Sequence, residues 1–120
     1  MRYMFIVTSA HESAPTPALL EAMGKLAERE IRAGRMLDNA GLMPASRGSR
    51  VSLSAGKLSV LDGPFAETKE VIGGYAILEL RNKDEAVASA VEFMGLHKDL
   101  MPGWEGTCEV REVASGPPRP

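Results

Sequence analysis

Apolar and polar residues change their period several times along the chain, and each change marks an element. Tyr3 to Thr8 is short and rich in β-formers, which predicts a strand. Tyr3, Phe5 and Val7 alternate with Met4 and Ile6, so both faces are apolar and the strand is expected at the centre of a sheet. Thr16-Pro17 supplies a capping hydroxyl followed by proline at the first helical position. Leu19, Leu20, Met23, Leu26, Ala27, Ile31 and Leu37 then recur at roughly helical spacing, with Glu21, Lys25, Glu28, Glu30 and Arg32 on the wet side. The pattern predicts a helix that starts at Pro17 and stops at Gly41. Gly24 and Gly34 weaken that helix without forbidding it.

Residues 42–49 are irregular. Arg50 to Ser54 alternates, Ala55-Gly56 turns, and Leu58 to Leu61 is a second short strand, which predicts a hairpin. Asp62-Gly63-Pro64-Phe65 is a turn cluster leading into a polar stretch, 66–70, without periodicity. Val71 to Leu80 is the longest strand candidate, and Gly73-Gly74 within it signals a bulge or a close backbone approach. Asn82 with Glu85 three residues on fits a capping box. Ala86, Val87, Ala90, Val91 and Met94 form one helical face, with Gly95 as its stop, and Thr107 to Val113 alternates as a last strand. The order β-α-β-β-β-α-β predicts an α+β fold: a ferredoxin-like βαββαβ sandwich with an antiparallel sheet and one strand added or split. Residues 1–114 are expected to form one domain, and 115–120, rich in proline and glycine, a loose tail.

The 120-residue length suits one core, burying roughly two-thirds of the unfolded surface. A formal net charge of -2 and no cluster of Lys and Arg argue against a nucleic-acid partner. The single cysteine, Cys108, excludes an internal disulfide. The opening apolar run is too short for a signal peptide, and no run approaches the ~20 apolar residues of a membrane helix. A cytoplasmic protein without a membrane partner is therefore expected. Two histidines and one cysteine cannot complete a standard zinc set without several carboxylates. No phosphate-binding glycine loop precedes a helix, and no nucleophile elbow occurs. No cofactor or metal is expected.

Side chains alternate strictly along a strand, so the helices cover only one face of such a sheet. Tyr3, Phe5, Val7, Tyr75 and Ile77 cannot all share the helix side with Met4, Ile6, Ala76 and Leu78. An apolar second face predicts a homodimer in which two sheets meet, or else cover by a loop or a small-molecule ligand.

The segment Asp62-Gly63-Pro64-Phe65-Ala66-Glu67-Thr68-Lys69-Glu70, followed by Ile72-Gly73-Gly74-Tyr75, resembles the signature of the DGPF-domain family, a branch of the YCII-related (YciI-like) proteins. The resemblance extends to the opening strand, the Gly41-Leu42 turn and the closing Cys108-Glu109-Val110-Arg111 strand. It implies a dimeric α+β barrel in which the signature lines a cleft. It implies no established reaction. Some family members resemble products of genes beside extracytoplasmic-function sigma factors, which implies a non-enzymatic regulatory or ligand-binding module as the alternative. YCII relatives are thought to carry a His–Asp pair, but the first helix here holds no histidine.

Read from the residues themselves, Asp62 either caps its own turn or serves as a general base at a cleft mouth. Glu67, Thr68 and Lys69 lie in a loop; Thr68 and Lys69 could meet an anionic ligand, while Glu67 and Lys69 could equally form a solvated ion pair. Glu79 is a half-buried carboxylate with Arg50 as its partner, or a solvated strand end. His97 is either an acid–base group or a helix-terminal residue favoured by the dipole. Tyr75 and Arg50 complete the candidate ligand-binding set. His11 could reach a strand-end site, Trp104 could cover the core, and Cys108 suits a small inert core position. Asp62, Glu79 and His97 would carry proton transfer on a small organic molecule if the protein is a cofactor-independent enzyme. The muconolactone isomerases, distantly similar in fold, offer the analogy.

Overall fold

A computed structural model describes residues 1–65 and 71–114. The elements run β1 (Arg2–Ser9), α1 (Pro17–Arg32), β2 (Met36–Gly41), a 3-10 turn (Ala45–Arg47), β3 (Ser49–Ser54), β4 (Lys57–Asp62), β5 (Val71–Glu79), α2 (Lys83–Leu100) and β6 (Gly106–Glu112). β2, β5, β1 and β6 form an antiparallel sheet in that order, and β3 and β4 form a separate two-stranded sheet. The arrangement is compatible with a ferredoxin-like α+β fold.

The first helix is shorter than its periodicity predicts. It ends at Arg32 because Gly34 takes a left-handed conformation (φ +74°). The Gly34 N–H then bonds the Ile31 carbonyl and the Arg35 N–H bonds the Glu30 carbonyl, a double closure that glycine makes cheap. Met36–Gly41 is freed to become the edge strand beside β5. The second helix is longer than predicted. Gly95 does not stop it, and the stripe Ala86, Ala90, Phe93, His97 continues for another turn. The two predicted caps hold: the Thr16 hydroxyl accepts from the Leu19 N–H at 3.1 Å, and the Asn82 side chain accepts from the Glu85 N–H at 2.9 Å.

Tyr3, Phe5, Leu78, Leu80, Ala86 and Ala90 form the buried core, with Met36, Ala76, Cys108 and Val110 packed against it. Register decides the faces. Met4 lies opposite Ile77 and Ile6 opposite Tyr75, so these four share the face away from the helices. Tyr75 and Ile77 therefore belong with Met4 and Ile6, not with Tyr3 and Phe5. The bulge at Gly73 causes the register shift between Val7 and Thr8. At Gly74 a Cβ would stand 2.7 Å from the Ala40 carbonyl oxygen, so glycine lets β2 and β5 approach.

Candidate functional site

A cleft of about 810 Å³ lies between α1 and the helix side of the sheet. It exists because α1 is held at its ends rather than along its length. At one end the Thr16 hydroxyl donates to the Leu100 carbonyl of α2 at 2.8 Å. At the other, the Glu30 carboxylate is buried and accepts from Arg35, whose Nε lies 2.8 Å away, while Arg29 bridges to Glu92. Leu19 and Glu30 are the only fully buried residues of the helix. Between these anchors Leu20, Met23, Gly24 and Ala27 line the cleft, and a Cβ built on Gly24 would meet nothing within 4 Å. Phe5, Val7, Met36 and Leu78 form the floor.

His97, Phe93 and Trp104 form the end wall. His97 is 6% exposed, and its ring touches both aromatic rings, with centroids 4.8 Å from Phe93 and 4.4 Å from Trp104. Its Nδ1 lies 3.1 Å from the Phe93 carbonyl oxygen, which can only accept. In the neutral ring Nδ1 therefore carries the proton, and Nε2 keeps its lone pair. Cys108 also borders the cleft, and burial pushes its thiol pKa up, so it stays protonated and apolar. The wall is thus mostly hydrocarbon with few polar groups, the usual make-up of a small-molecule site.

The other sequence candidates lie elsewhere. Asp62 stands at the foot of the β3–β4 hairpin, where its carboxylate accepts from the Ser49 hydroxyl at 2.7 Å. It does not line the cleft. Glu79 lies on the opposite face of the sheet, half-exposed, 3.4 Å from the amino terminus and 4.0 Å from Arg2. Its expected partner Arg50 instead lies over the Phe65 ring, 4.1 Å from the centroid. The Tyr75 backbone borders the cleft, but its side chain lies on the opposite sheet face, where its hydroxyl donates to Asp38 at 3.0 Å, and that bond to a carboxylate raises the phenol pKa. Glu67, Thr68 and Lys69 lie outside the described residues. His97 alone of the three acid–base candidates reaches the cleft.

The sequence pattern puts Trp104 over the core and Glu30 on the wet side of α1, but Glu30 is buried and both line the cleft, as do Met23 from the apolar face and Asn39. The signal for His97 as a wall residue was the continuation of the 86/90/93/97 stripe, hidden by ending the helix at Gly95.

The sequence model of the YCII-related domain matches residues 1–93, more than three-quarters of the chain. The chain belongs to the YCII-related family. It is also 30% identical over 108 residues to the uncharacterized protein R00369 of Rhizobium meliloti (strain 1021), an alignment covering 90% of this chain and 83% of that protein. The family match ends at Phe93, so His97, Trp104 and Cys108 on the cleft wall lie outside the stretch that defines membership. No helix among the described residues is long and apolar enough to cross a membrane, and no group of His, Cys, Asp and Glu among them could hold a metal ion.

Proposed function

We propose that this YCII-related protein binds a mainly apolar small molecule in the cleft between α1 and the sheet. The ligand would present one hydrogen-bond donor to Nε2 of His97. The observation that carries this reading is the cleft itself: about 810 Å³, walled by aliphatic and aromatic side chains, with one imidazole whose tautomer is set by a backbone carbonyl. A proton-transfer reaction would fall to His97, since Asp62 and Glu79 stand away from the cleft. The same reading has the protein working as a homodimer. Met4, Ile6, Tyr75 and Ile77 leave an apolar centre on the open sheet face, bordered by Arg2, Glu79, Glu109 and Arg111, and a second copy would cover it.

The test uses anilinonaphthalene sulfonate as probe, with Trp104, the single tryptophan, as a second reporter in the cleft wall. Wild type should bind the probe and quench Trp104 emission. Gly24→Leu fills the empty space beside α1 and should weaken binding at least tenfold while leaving the circular dichroism unchanged. Probe binding that survives Gly24→Leu, or no Trp104 quenching, rejects the cleft as the site.

A further inference from the structure

The β3–β4 hairpin carries an apolar face that nothing described in the chain covers. Cross-strand register pairs Val51 with Val60 and Leu53 with Leu58, so these four residues share one face. They are 67%, 71%, 70% and 74% exposed in that pairing order. The opposite face carries Arg50, Ser52, Ser54, Lys57 and Ser59, with Leu61 as its only aliphatic residue. The hairpin is thus amphipathic, with its apolar side bare. A lone two-stranded hairpin is marginal in water and needs a surface to pack on. Among the described residues it packs against no other helix or strand beyond marginal contact. The radius of gyration, 16.3 Å, exceeds the ~14 Å of a compact chain of this length.

Residues 66–70 (Ala-Glu-Thr-Lys-Glu) and 115–120 (Ser-Gly-Pro-Pro-Arg-Pro) include no large aliphatic side chain to cover such a face. Neither segment offers a matching apolar cover. We propose that the cover is a second copy: the hairpin is an arm that packs its Val51/Leu53/Leu58/Val60 face on the partner protomer and enlarges the dimer interface.

Area favours this occupant. Four strands at ~4.8 Å spacing and about seven residues long present a sheet face of roughly 450 Å². A specific interface takes at least ~600 Å² from each partner. The open sheet face is small for that purpose, and one hairpin face adds roughly 200 Å² of flat area by the same geometry. A two-fold contact covers both apolar surfaces of both copies at once. The mixed charges around the sheet face, Arg2 and Arg111 among Asp38, Glu79 and Glu109, leave no single-signed field to repel an identical copy. The arm is independent of the ligand reading and shares with it only the homodimer.

The test is sedimentation velocity across a dilution series of wild type, Leu53→Ser/Leu58→Ser and Ile77→Arg. Wild type should be a dimer at micromolar concentration. The double serine variant should raise the dimer dissociation constant at least tenfold while keeping its circular dichroism. An unchanged constant in that variant overturns the arm and leaves the sheet-face dimer standing, provided Ile77→Arg still disrupts it. A monomeric wild type overturns both the arm and the dimer, whatever the cleft binds. Hydrogen exchange on wild type guards against misfolding of the variants: amides of residues 49–62 should gain protection with concentration, and concentration-independent exchange also rejects the arm.

Discussion

Gly106→Ala should be the most damaging single-methyl change at the cleft. Gly106 opens β6, paired with Ser9 of β1. A Cβ there would stand 2.6 Å from Cζ2 of the Trp104 ring and well inside van der Waals contact with the Thr8 carbonyl oxygen. The carbonyl belongs to the central strand and cannot retreat without opening the ladder, so either the start of β6 peels away or Trp104 leaves its place on His97. Overpacking of this kind costs about 1–3 kcal/mol. Loss of the Trp104–His97 ring contact adds about 1 kcal/mol by analogy with aromatic pairs. The expected loss is therefore about 3 kcal/mol. For a chain of this length 1 kcal/mol corresponds to roughly 4 °C in Tm, so Tm should fall by about 12 °C. Trp104 emission should shift to the red as the ring gains water. Gly95→Ala is the control: it is helical, and a Cβ there meets nothing within 4 Å. It should gain about 0.5–1 kcal/mol, or roughly 2–4 °C, from helix propensity alone. Thermal melts followed by circular dichroism and tryptophan fluorescence decide it. A Gly106→Ala protein that melts with wild type and keeps its emission maximum would refute the packing described for Trp104.

Three further outcomes are expected. Cys108, whose thiol is pushed up by burial, should react with iodoacetamide at pH 8 several-fold more slowly than a free cysteine peptide, because less of it is thiolate; equal rates measured by mass spectrometry would contradict its placement. Arg29 holds the Glu92 carboxyl below its ordinary value through a hydrogen bond that outweighs the opposing desolvation. That contribution is complete above the unfolded pKa of 4.5 and is lost as pH falls through the folded value, so Arg29→Gln should flatten the acid limb of stability against pH, at a neutral-pH cost below ~1 kcal/mol for so exposed a pair. Urea melts between pH 3 and 7 would show an unchanged slope if the pair contributes nothing. Finally, Ala55 at the hairpin tip has φ +50°, beside Gly56 at φ +77°. Ala55→Asn should stabilise the hairpin by about 0.5–1 kcal/mol, since asparagine tolerates that conformation better, and faster exchange of the hairpin amides would be the contrary result.

Much of the fold was legible because local rules govern it. Thr16-Pro17 and Asn82 named the helix starts, Ala55-Gly56 the hairpin turn and Gly73 the bulge, each through chemistry within a few residues. The errors came where two local rules competed. Leu37 fitted the helical period of α1, yet the left-handed Gly34 won and gave an edge strand. Gly95 looked like a stop, yet burial of His97 against Phe93 carried α2 onward, because packing of an apolar stripe outweighs one glycine's propensity.

The candidate site was less legible. Sequence alone determined most of the element types, the excess of apolar strand faces and the alternation of the hairpin strands, but not the strand Met36–Gly41. Only tertiary structure decided which of Tyr75, Ile77, Met4 and Ile6 share a face, because register depends on a bulge and a one-residue slip inverts every side chain. Only tertiary structure separated Asp62 and Glu79 from His97, and brought Trp104 onto its ring. The cleft itself could not be read locally. It arises because α1 is tied down at Thr16 and Glu30, contacts that link residues 84 and five positions apart in the chain, while the helix between them stands off the sheet.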